Sequence, residues 1–451
     1  MPTRPSFGTS ILPIRRSRDV TAPRTIKVSA IARVEGEGAL NVTVRDGVVV
    51  AAELNIYEPP RFFEAFLRGR EVREVTDIVA RICGICPVAY QMSAAHALEK
   101  ALGVTVPAGV RELRRLLYCG EWIESHALHV YMLHAPDFMG FESGIAMAAK
   151  HRDLVERGLR MKKTGNRILE VLGGRAIHPI NVTVGGFYRA PRVGDLRGLL
   201  PELRWGLAAA VETFRWVATF DFPSLDMDYD MVSLRHPTEY PMNDGNVVSS
   251  SGLDVPPEEY EKHFQERHEP QSTALHSVTI PAAKSYLVGP LARVNLCRDQ
   301  LSETAKREAD AAKLEWPCRN NFKSILARSL ELITAFEEAV RIVEQYQNEL
   351  NPPKVEVVLR SGEGCHATEA PRGLIYHRYR IGEKGLIAEA KIVPPTSQNQ
   401  GQVERDLSAF LPGVLHLDDS EVGRRCEHLI RNYDPCISCA THFLKVKIDR
   451  R

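Results

Sequence analysis

No stretch of this 451-residue sequence comes near the ~20 uninterrupted apolar residues that a helix needs to cross a bilayer, so no membrane span is expected. Charge of one sign is missing as well. Against 57 Asp and Glu stand 58 Lys and Arg, a formal net charge of +1, which excludes a chain-wide basic surface for nucleic acid. Tandem repeats, low-complexity tracts and Gly/Ser linkers are absent, and with them solenoids and loosely tethered domains. The N-terminal MPTRPSFGTSILPIRRSRDV has no apolar segment followed by a small-residue cleavage site, the pattern of a secretory leader. Arg15-Arg16 would suit a twin-arginine signal, but the polar residues after it supply no membrane-seeking segment. The expectation is a soluble, cytoplasmic, non-exported chain.

Apolar residues make up 44% and charged residues 25% of the chain, the balance of a globular protein with a sizeable core. Nine cysteines are an odd number, which argues against a disulfide framework in a chain of this length. Four fall into two C-x-x-C pairs, Cys83 with Cys86 and Cys436 with Cys439. Cys119, Cys297, Cys318, Cys365 and Cys426 are scattered singly and read as small buried apolar residues.

The length would allow two or three domains, but the patterning reads as one large, mainly helical unit. Residues 26–57 alternate, with Asp46-Gly47 between two β-branched runs, as in a hairpin or small sheet. From about residue 61 apolar residues recur at three and four, and long helices are expected at about 109–134, 144–172, 196–219, 300–314 and 322–349. The last is stopped by Pro352-Pro353. A second alternating region, 354–393, precedes one more helix at about 420–432. The fold class expected is α+β, mainly α: a large helical bundle with small β regions near both ends. Residues 1–25 read as an N-terminal extension, 26–442 as a single domain with a Pro/Ser-rich peripheral lobe at about 222–295, and 443–451 as a C-terminal tail, kept or removed.

The first cysteine pair lies in Arg81-Ile82-Cys83-Gly84-Ile85-Cys86-Pro87, where Gly and Pro break a helix-like run; Gly permits a backbone that turns both thiolates the same way. The second lies in Asp434-Pro435-Cys436-Ile437-Ser438-Cys439-Ala440-Thr441-His442, after the last expected helix. Two such pairs can share one centre. Taken alone they would suit structural zinc, four thiolates in a closed tetrahedron. A dithiol redox motif needs only one pair.

The residues around the pairs decide between these readings. Arg33-Val34-Glu35-Gly36, R-x-C-G-x-C at 81–86, Gly173-Gly174-Arg175 with His178-Pro179, Gly289-Pro290-Leu291-Ala292-Arg293, Ala370-Pro371-Arg372-Gly373, Val393-Pro394-Pro395-Thr396 and D-P-C-x-x-C-x-x-H at 434–442 occur in one order. In this the chain resembles the large, catalytic subunit of nickel-iron hydrogenases, over residues 26–442. The resemblance implies a nickel-iron centre whose iron carries carbon monoxide and cyanide. Cys83 and Cys436 would be terminal nickel ligands, and Cys86 and Cys439 would bridge to the iron, soft sulfurs suited to soft metals. Dihydrogen would be split heterolytically, with metal as Lewis acid and thiolate as base.

By the same resemblance Glu35 is the proton-relay carboxylate beside Cys436, and Arg372 is a fixed cation over the open metal face. Pro371 and Thr396 line the cyanide pockets, Thr396 as a hydrogen-bond donor. Glu64, a carboxylate in the apolar run Phe62-Phe63-Glu64-Ala65-Phe66, would share a second site, usually magnesium, with His442 and a main-chain carbonyl near residues 390–392. Many relatives carry His where Tyr90 stands, and Asp where Ser125 precedes His126 and His129. A carboxylate canopy and a histidine beside the iron are therefore not carried over. The two changes resemble the cytoplasmic branch, in which the hydrogenase pair joins flavoprotein subunits using a nicotinamide cofactor or a deazaflavin.

With the five remaining cysteines single, no iron-sulfur cluster is expected in this chain. The resemblance implies an obligate iron-sulfur small subunit, flavin- and NAD(P)-binding diaphorase subunits, and maturation proteins as partners. Two other readings are a zinc-stapled, non-catalytic scaffold and a connecting subunit of a respiratory proton pump. The first needs none of the glutamate and arginine motifs, and proteins of the second kind lack the four cysteines.

Overall fold

The computed structural model describes residues 24–441. The extension before Arg24, the tail 443–451 and His442 lie outside the described residues. Strands β1 (Arg24–Val28), β2 (Gly38–Arg45) and β3 (Val48–Ile56) form an antiparallel sheet in that order. Asp46 and Gly47 turn the β2–β3 hairpin with φ of 53° and 77°, the paired positive values of a two-residue hairpin loop. Leu40, Val42 and Val44 of β2 are buried on one face, as period-two alternation requires.

The helical body follows. It comprises α1 (Phe63–Leu67), α2 (Val72–Val79), α3 (Pro87–Leu102), α4 (Ala108–Leu128), α5 (Arg152–Gly173), α6 (Leu200–Val217), α7 (Pro290–Cys297) and α8 (Ser324–Gln345). Helix α4 packs against α5 and α8, and α8 against α6. Every residue of α4 from Leu113 to Ala127 is buried, as in a helix enclosed on all sides by the core. Gly120 of α4 and Gly165 of α5 meet backbone to backbone: a Cβ on Gly165 would lie 2.5 Å from the Gly120 carbonyl.

Residues 222–295 carry a small sheet of β4 (Val232–Arg235), β5 (Asn246–Ser249) and β6 (Asp254–Val255), then a hairpin of β7 (Phe264–His268) and β8 (Leu275–Thr279). Near the C-terminus β9 (Gly362–Ala370), β10 (Gly373–Ile381) and β11 (Ile387–Val393) form an antiparallel sheet laid on α3. Helices α9 (Pro395–Phe410) and α10 (Asp419–Arg431) follow, and the one-turn helix Ile437–Ala440 ends the described chain. The mainly helical α+β architecture, with small sheets towards both ends, is the one the patterning implies. None of these helices is long and apolar enough to cross a membrane.

Three elements depart from the patterning. The helix expected at 144–172 is broken into Gly144–Ala148 and Arg152–Gly173. The helix expected at 109–134 changes at Leu128 into a π-helical turn, His129–His134, because Pro136 cannot donate into a continuing α-helix. Helix α9 has no counterpart among the expected helices. Its buried face is largely polar, with Gln398, Asn399, Gln402 and Asp406 inside, so it lacks the apolar stripe that betrays a helix.

Candidate metal centre

The two cysteine loops meet although 353 residues separate them. Cys83 follows a 3-10 turn (Ala80–Ile82), and Cys86 stands just before α3. The Cys83 sulfur accepts the N–H groups of Ile85 and Cys86, both at 3.3 Å, which folds the intervening Gly84 outward. Cys436 caps the short helix Ile437–Ala440. Its own N–H donates to Thr396 Oγ1 at 3.0 Å. The sulfurs of Cys83 and Cys436 are 3.4 Å apart, those of Cys86 and Cys439 3.7 Å, and those of Cys436 and Cys439 2.8 Å. All four lie within 4.8 Å of one another, buried.

Three side chains hold the loops in register. Glu35 pairs with Cys436 as an isolated parallel bridge, Ile437 N donating to Glu35 O at 2.9 Å. The Glu35 carboxylate oxygen Oε2 then accepts the Cys436 thiol at 3.1 Å and Ser438 N at 3.0 Å. Gly36 makes this turn possible: it has φ of +86°, and a Cβ there would lie 2.7 Å from Ile437 Cβ. Arg61 joins both loops, donating to the carbonyls of Ile82, at 2.8 Å, and of Ser438. Glu121 of α4, fully buried, accepts Val88 N at 2.6 Å and Ala89 N at 3.1 Å. It thereby caps the helix that begins beside Cys86.

A third loop completes the site. Ala370-Pro371-Arg372-Gly373 is the turn between β9 and β10, and it abuts Gly289 at the start of α7. A Cβ on Gly289 would lie 2.7 Å from the Arg372 carbonyl, and one on Gly373 2.8 Å from Gly289 N. Arg293 of α7 fastens the turn from behind, donating to the carbonyls of Ala370 and Pro371 at 2.9 and 2.8 Å and to Glu369 at 2.8 Å. Glu331 of α8 pairs with the same guanidinium at 2.7 Å and with His126 Nε2 at 2.9 Å, all of them fully buried. Arg372 itself donates Nε to the Asp434 carbonyl at 2.8 Å and Nη2 to its carboxylate at 3.1 Å. Its remaining nitrogen, Nη1, is buried without a partner among the described residues.

Electrostatics sort the four sulfurs. Cys83 accepts hydrogen bonds from the neighbouring thiols, which pull its pKa well below the usual thiol value against its own burial. Burial pushes Cys436 well above that value and Cys439 above it. Arg372 stays a cation: burial opposes its charge, but Asp434 and the sulfurs of Cys436, Cys86 and Cys83 outweigh it. Four buried thiolates repel one another, so a cation must sit among them for all four to ionise. A donor set made only of sulfur selects a soft metal over magnesium or calcium. The residues present fit a thiolate-bound nickel-iron centre.

Several sequence-predicted site residues thus converge: Cys83, Cys86, Cys436, Cys439, Glu35, Arg372, Pro371 and Thr396. Thr396 Oγ1 accepts the Cys436 N–H, which leaves its own O–H to donate. Glu64 is 5% exposed, and its Oε1 accepts Ile392 N at 2.8 Å. Glu64 thus lies against the 390–392 segment, and His442 lies outside the described residues. Sequence reasoning passed over Arg61 and Glu121 as site residues, and it quoted Arg293 and Asp434 only as parts of motifs. Arg61 and Glu121 bond the loops through backbone atoms, which leave no residue-type signature.

Fold and donor set together define a protein that holds a soft-metal centre in a buried four-sulfur pocket. The family profile described as nickel-dependent hydrogenase matches residues 61–157 and 281–442. The sulfhydrogenase 1 alpha subunit of Pyrococcus furiosus is 33% identical over 430 residues, 93% of this chain and 98% of the relative. The beta subunit of the NAD-reducing hydrogenase HoxS of Cupriavidus necator is 27% identical over 477 residues, 93% and 95% of the two chains. The crystal structure of an NAD+-reducing NiFe hydrogenase in the H2-reduced state superposes with a TM-score of 0.83 at 26% identity, covering 94% of this chain and all of that one. This chain belongs to the nickel-dependent hydrogenase family, as a large subunit.

Proposed function

We propose that this chain is the catalytic subunit of a nickel-iron hydrogenase, interconverting dihydrogen with two protons and two electrons. One observation carries the reading: four buried sulfurs within 4.8 Å of one another, with a carboxylate 3.1 Å from one of them. Cys83 and Cys436 would hold nickel alone, while Cys86 and Cys439 would bridge it to an iron carrying carbon monoxide and cyanide. When bound, that centre supplies the Lewis acidity and the redox capacity for splitting dihydrogen.

The chain's own residues supply the rest. Burial of the four sulfurs keeps bulk water out. Glu35 Oε2 takes the proton from the Cys436 sulfur, the atom it already accepts from, and passes it towards solvent on its half-buried side. Arg372 brings a fixed positive charge whose free Nη1 stabilises negative charge building in the pocket. The Thr396 hydroxyl and Pro371 would line the pockets that receive the cyanide ligands, with Thr396 as a hydrogen-bond donor. Glu64 would hold a second ion, magnesium or similar, together with His442.

Electrons leave through a partner, since no further cysteine group that could hold a metal occurs among the described residues. Supporting this, Gly84 in the first cysteine loop is exposed, a Cβ on it would lie 4.0 Å from Ile177, and Ile177 and Ile180, close by in sequence, are 57% and 50% exposed. An iron-sulfur small subunit seated there would take electrons over a short path and cover the apolar side chains. Diaphorase subunits binding flavin and NAD(P) would follow in a cytoplasmic complex, and maturation proteins would load the metals into a single domain spanning 26–442.

Metal analysis and infrared spectroscopy of the purified complex test the reading. Nickel and iron in equal amounts are expected, with infrared bands of metal-bound carbon monoxide and cyanide, and both should vanish on Cys436→Ala. Zinc in the four-sulfur site would overturn it.

A further inference from the structure

Asp406 of α9 is a fully buried carboxylate for which the mechanism above has no use. Its Oδ2 accepts the hydroxyls of Tyr433 at 2.6 Å and of Tyr229 at 2.7 Å, and its Oδ1 accepts Gln402 Nε2 at 2.8 Å. Gln402 is held in turn by Ser285 Oγ, which donates to its Oε1 at 2.9 Å. Burial lifts Asp406 to about 6, against the pull of the two phenols and Gln402. At neutral pH it is therefore a carboxylate, and the phenol bonds are charge-assisted, the shorter and stronger kind.

Tyr433 directly precedes Asp434, and Asp434 has an uncommon backbone. Its φ is 51°, left-handed for a residue that carries a Cβ, and it stands before Pro435, which favours an extended neighbour. Such a residue keeps its shape where the surrounding structure over-determines it. The clamps lie on the two residues before it. Asn432 O accepts Ser324 Oγ at 2.8 Å and Arg328 Nη1 at 3.1 Å, and the Tyr433 phenol ends on Asp406. Arg372 rests on the residue so held, with Nε on the Asp434 carbonyl at 2.8 Å and Nη2 on its carboxylate at 3.1 Å. One phenol and one residue of main chain thus join the α9 carboxylate to that guanidinium.

We propose that Asp406, acting through Tyr433, is a positioning residue for Arg372: it holds Asp434 in the left-handed turn whose carbonyl and carboxylate both meet the guanidinium, and so fixes that charge beside the four sulfurs. The inference rests on Arg372 facing a metal centre there, as read above. Tyr229 supplies an internal comparison. It donates to the same oxygen and is as buried, 6% exposed against 5% for Tyr433, but it does not adjoin Asp434 in the chain.

The test compares Tyr433→Phe with Tyr229→Phe in the metal-loaded complex, since each keeps its ring and removes one donor from Asp406 Oδ2. Both should lower the unfolding midpoint to a similar extent. Only Tyr433→Phe is expected to shift the infrared carbon monoxide and cyanide bands, towards lower wavenumber as the guanidinium withdraws. In that variant alone turnover should fall roughly tenfold, the worth of one charge-assisted hydrogen bond. Bands and turnover unchanged in Tyr433→Phe, or changed equally in both variants, would overturn the proposal. A crystal structure of metal-free Tyr433→Phe asks the same question without the centre. Arg372 displaced from Asp434 upholds the proposal, and Arg372 unmoved overturns it. Absence of nickel from the unaltered complex would instead refute the hydrogenase reading and leave that crystallographic test standing, so the two failures are distinguishable.

Discussion

Replacing Glu35 by Gln separates proton transfer from every other role of that residue. The backbone bonds that register it against the second cysteine loop, Ile437 N to Glu35 O and Glu35 N to Pro435 O, do not involve the side chain. An amide oxygen in place of Oε2 can still accept Ser438 N, at 3.0 Å in the native chain. What it cannot do is carry away the proton of the Cys436 sulfur 3.1 Å distant. The cost to stability is thus that of one weakened hydrogen bond, about 1 kcal/mol or less. The cost to turnover is that of a positioned proton acceptor, on the order of 10²–10⁴-fold, equivalent to roughly 3–5 kcal/mol of barrier. The assay is the exchange of deuterium gas with protons of water, run beside infrared spectra of the same sample. Expected are unshifted carbon monoxide and cyanide bands, full nickel content, and an exchange rate reduced by two to four powers of ten, on the order just given. An exchange rate equal to the native one, with the metals intact, would remove Glu35 from the proton path.

The other predictions concern the frame. Arg293→Met strands the buried carboxylates of Glu331 and Glu369, which Arg293 holds at 2.7 and 2.8 Å. Loss of one partner from such a network costs about 3–5 kcal/mol, read as a lowered unfolding midpoint, and the Arg372 turn is expected to loosen with it. Glu124, lifted to about 7 by burial against the pull of Lys162, is destabilising when ionised. A carboxyl raised in the fold contributes stability below its unfolded pKa and loses it as pH rises through 7. Glu124→Gln should therefore gain on the native protein in melting temperature as pH rises from about 4.5 to about 7 and keep a constant lead above that; a difference that does not change between pH 4.5 and 7 would contradict the argument. Ile177→Asp should weaken capture of the iron-sulfur subunit at least several-fold, on the order of 1 kcal/mol or more, without lowering metal content. Undiminished co-purification would place the interface elsewhere.

What could be read beforehand, and what could not, follows from where each contact is made. The cysteine pairs announce themselves because both ligands of a pair lie within four residues, and Glu35, Arg372 and Thr396 stand in short motifs beside turns. The long helices α4, α5, α6 and α8 were legible because their partners are apolar and recur with the helical period. Helix α9 was not, because its partners are hydrogen bonds. Gln398 donates to Leu374 O at 2.6 Å, Asn399 exchanges two bonds with the backbone of Val288, and Gln402 donates to Asp406 at 2.8 Å. Such a helix looks like a surface loop in sequence and is an interior strut in the fold. Glu121 was hidden for a related reason. Nothing near residue 121 indicates that its carboxylate caps a helix starting 34 positions earlier, at Pro87.

These polar struts explain how sulfurs from opposite ends of the chain stay together before any metal arrives. Clustered thiols attract only weakly, and three of the four are held protonated or nearly so by burial and by one another, so the sulfurs do not supply the closure themselves. Closure is distributed instead. The parallel bridge of Glu35 with Cys436 ties the N-terminal region to the second loop, Arg61 ties the second loop to the first, Glu121 fixes the first loop to α4, and Arg372 with Asp434 ties the β9–β10 turn back to the second. Every link ends on a backbone atom or a buried carboxylate, and none uses a sulfur lone pair; beside the Glu35 bridge the Cys436 thiol donates its S–H to the carboxylate. A metal centre entering such a frame meets ligands already ordered, and its binding energy goes into displacing thiol protons more than into folding the chain. The same arrangement leaves the Glu35 carboxylate 3.1 Å from the Cys436 thiol, so the residue that positions the ligand loop is also the one placed to receive protons from it.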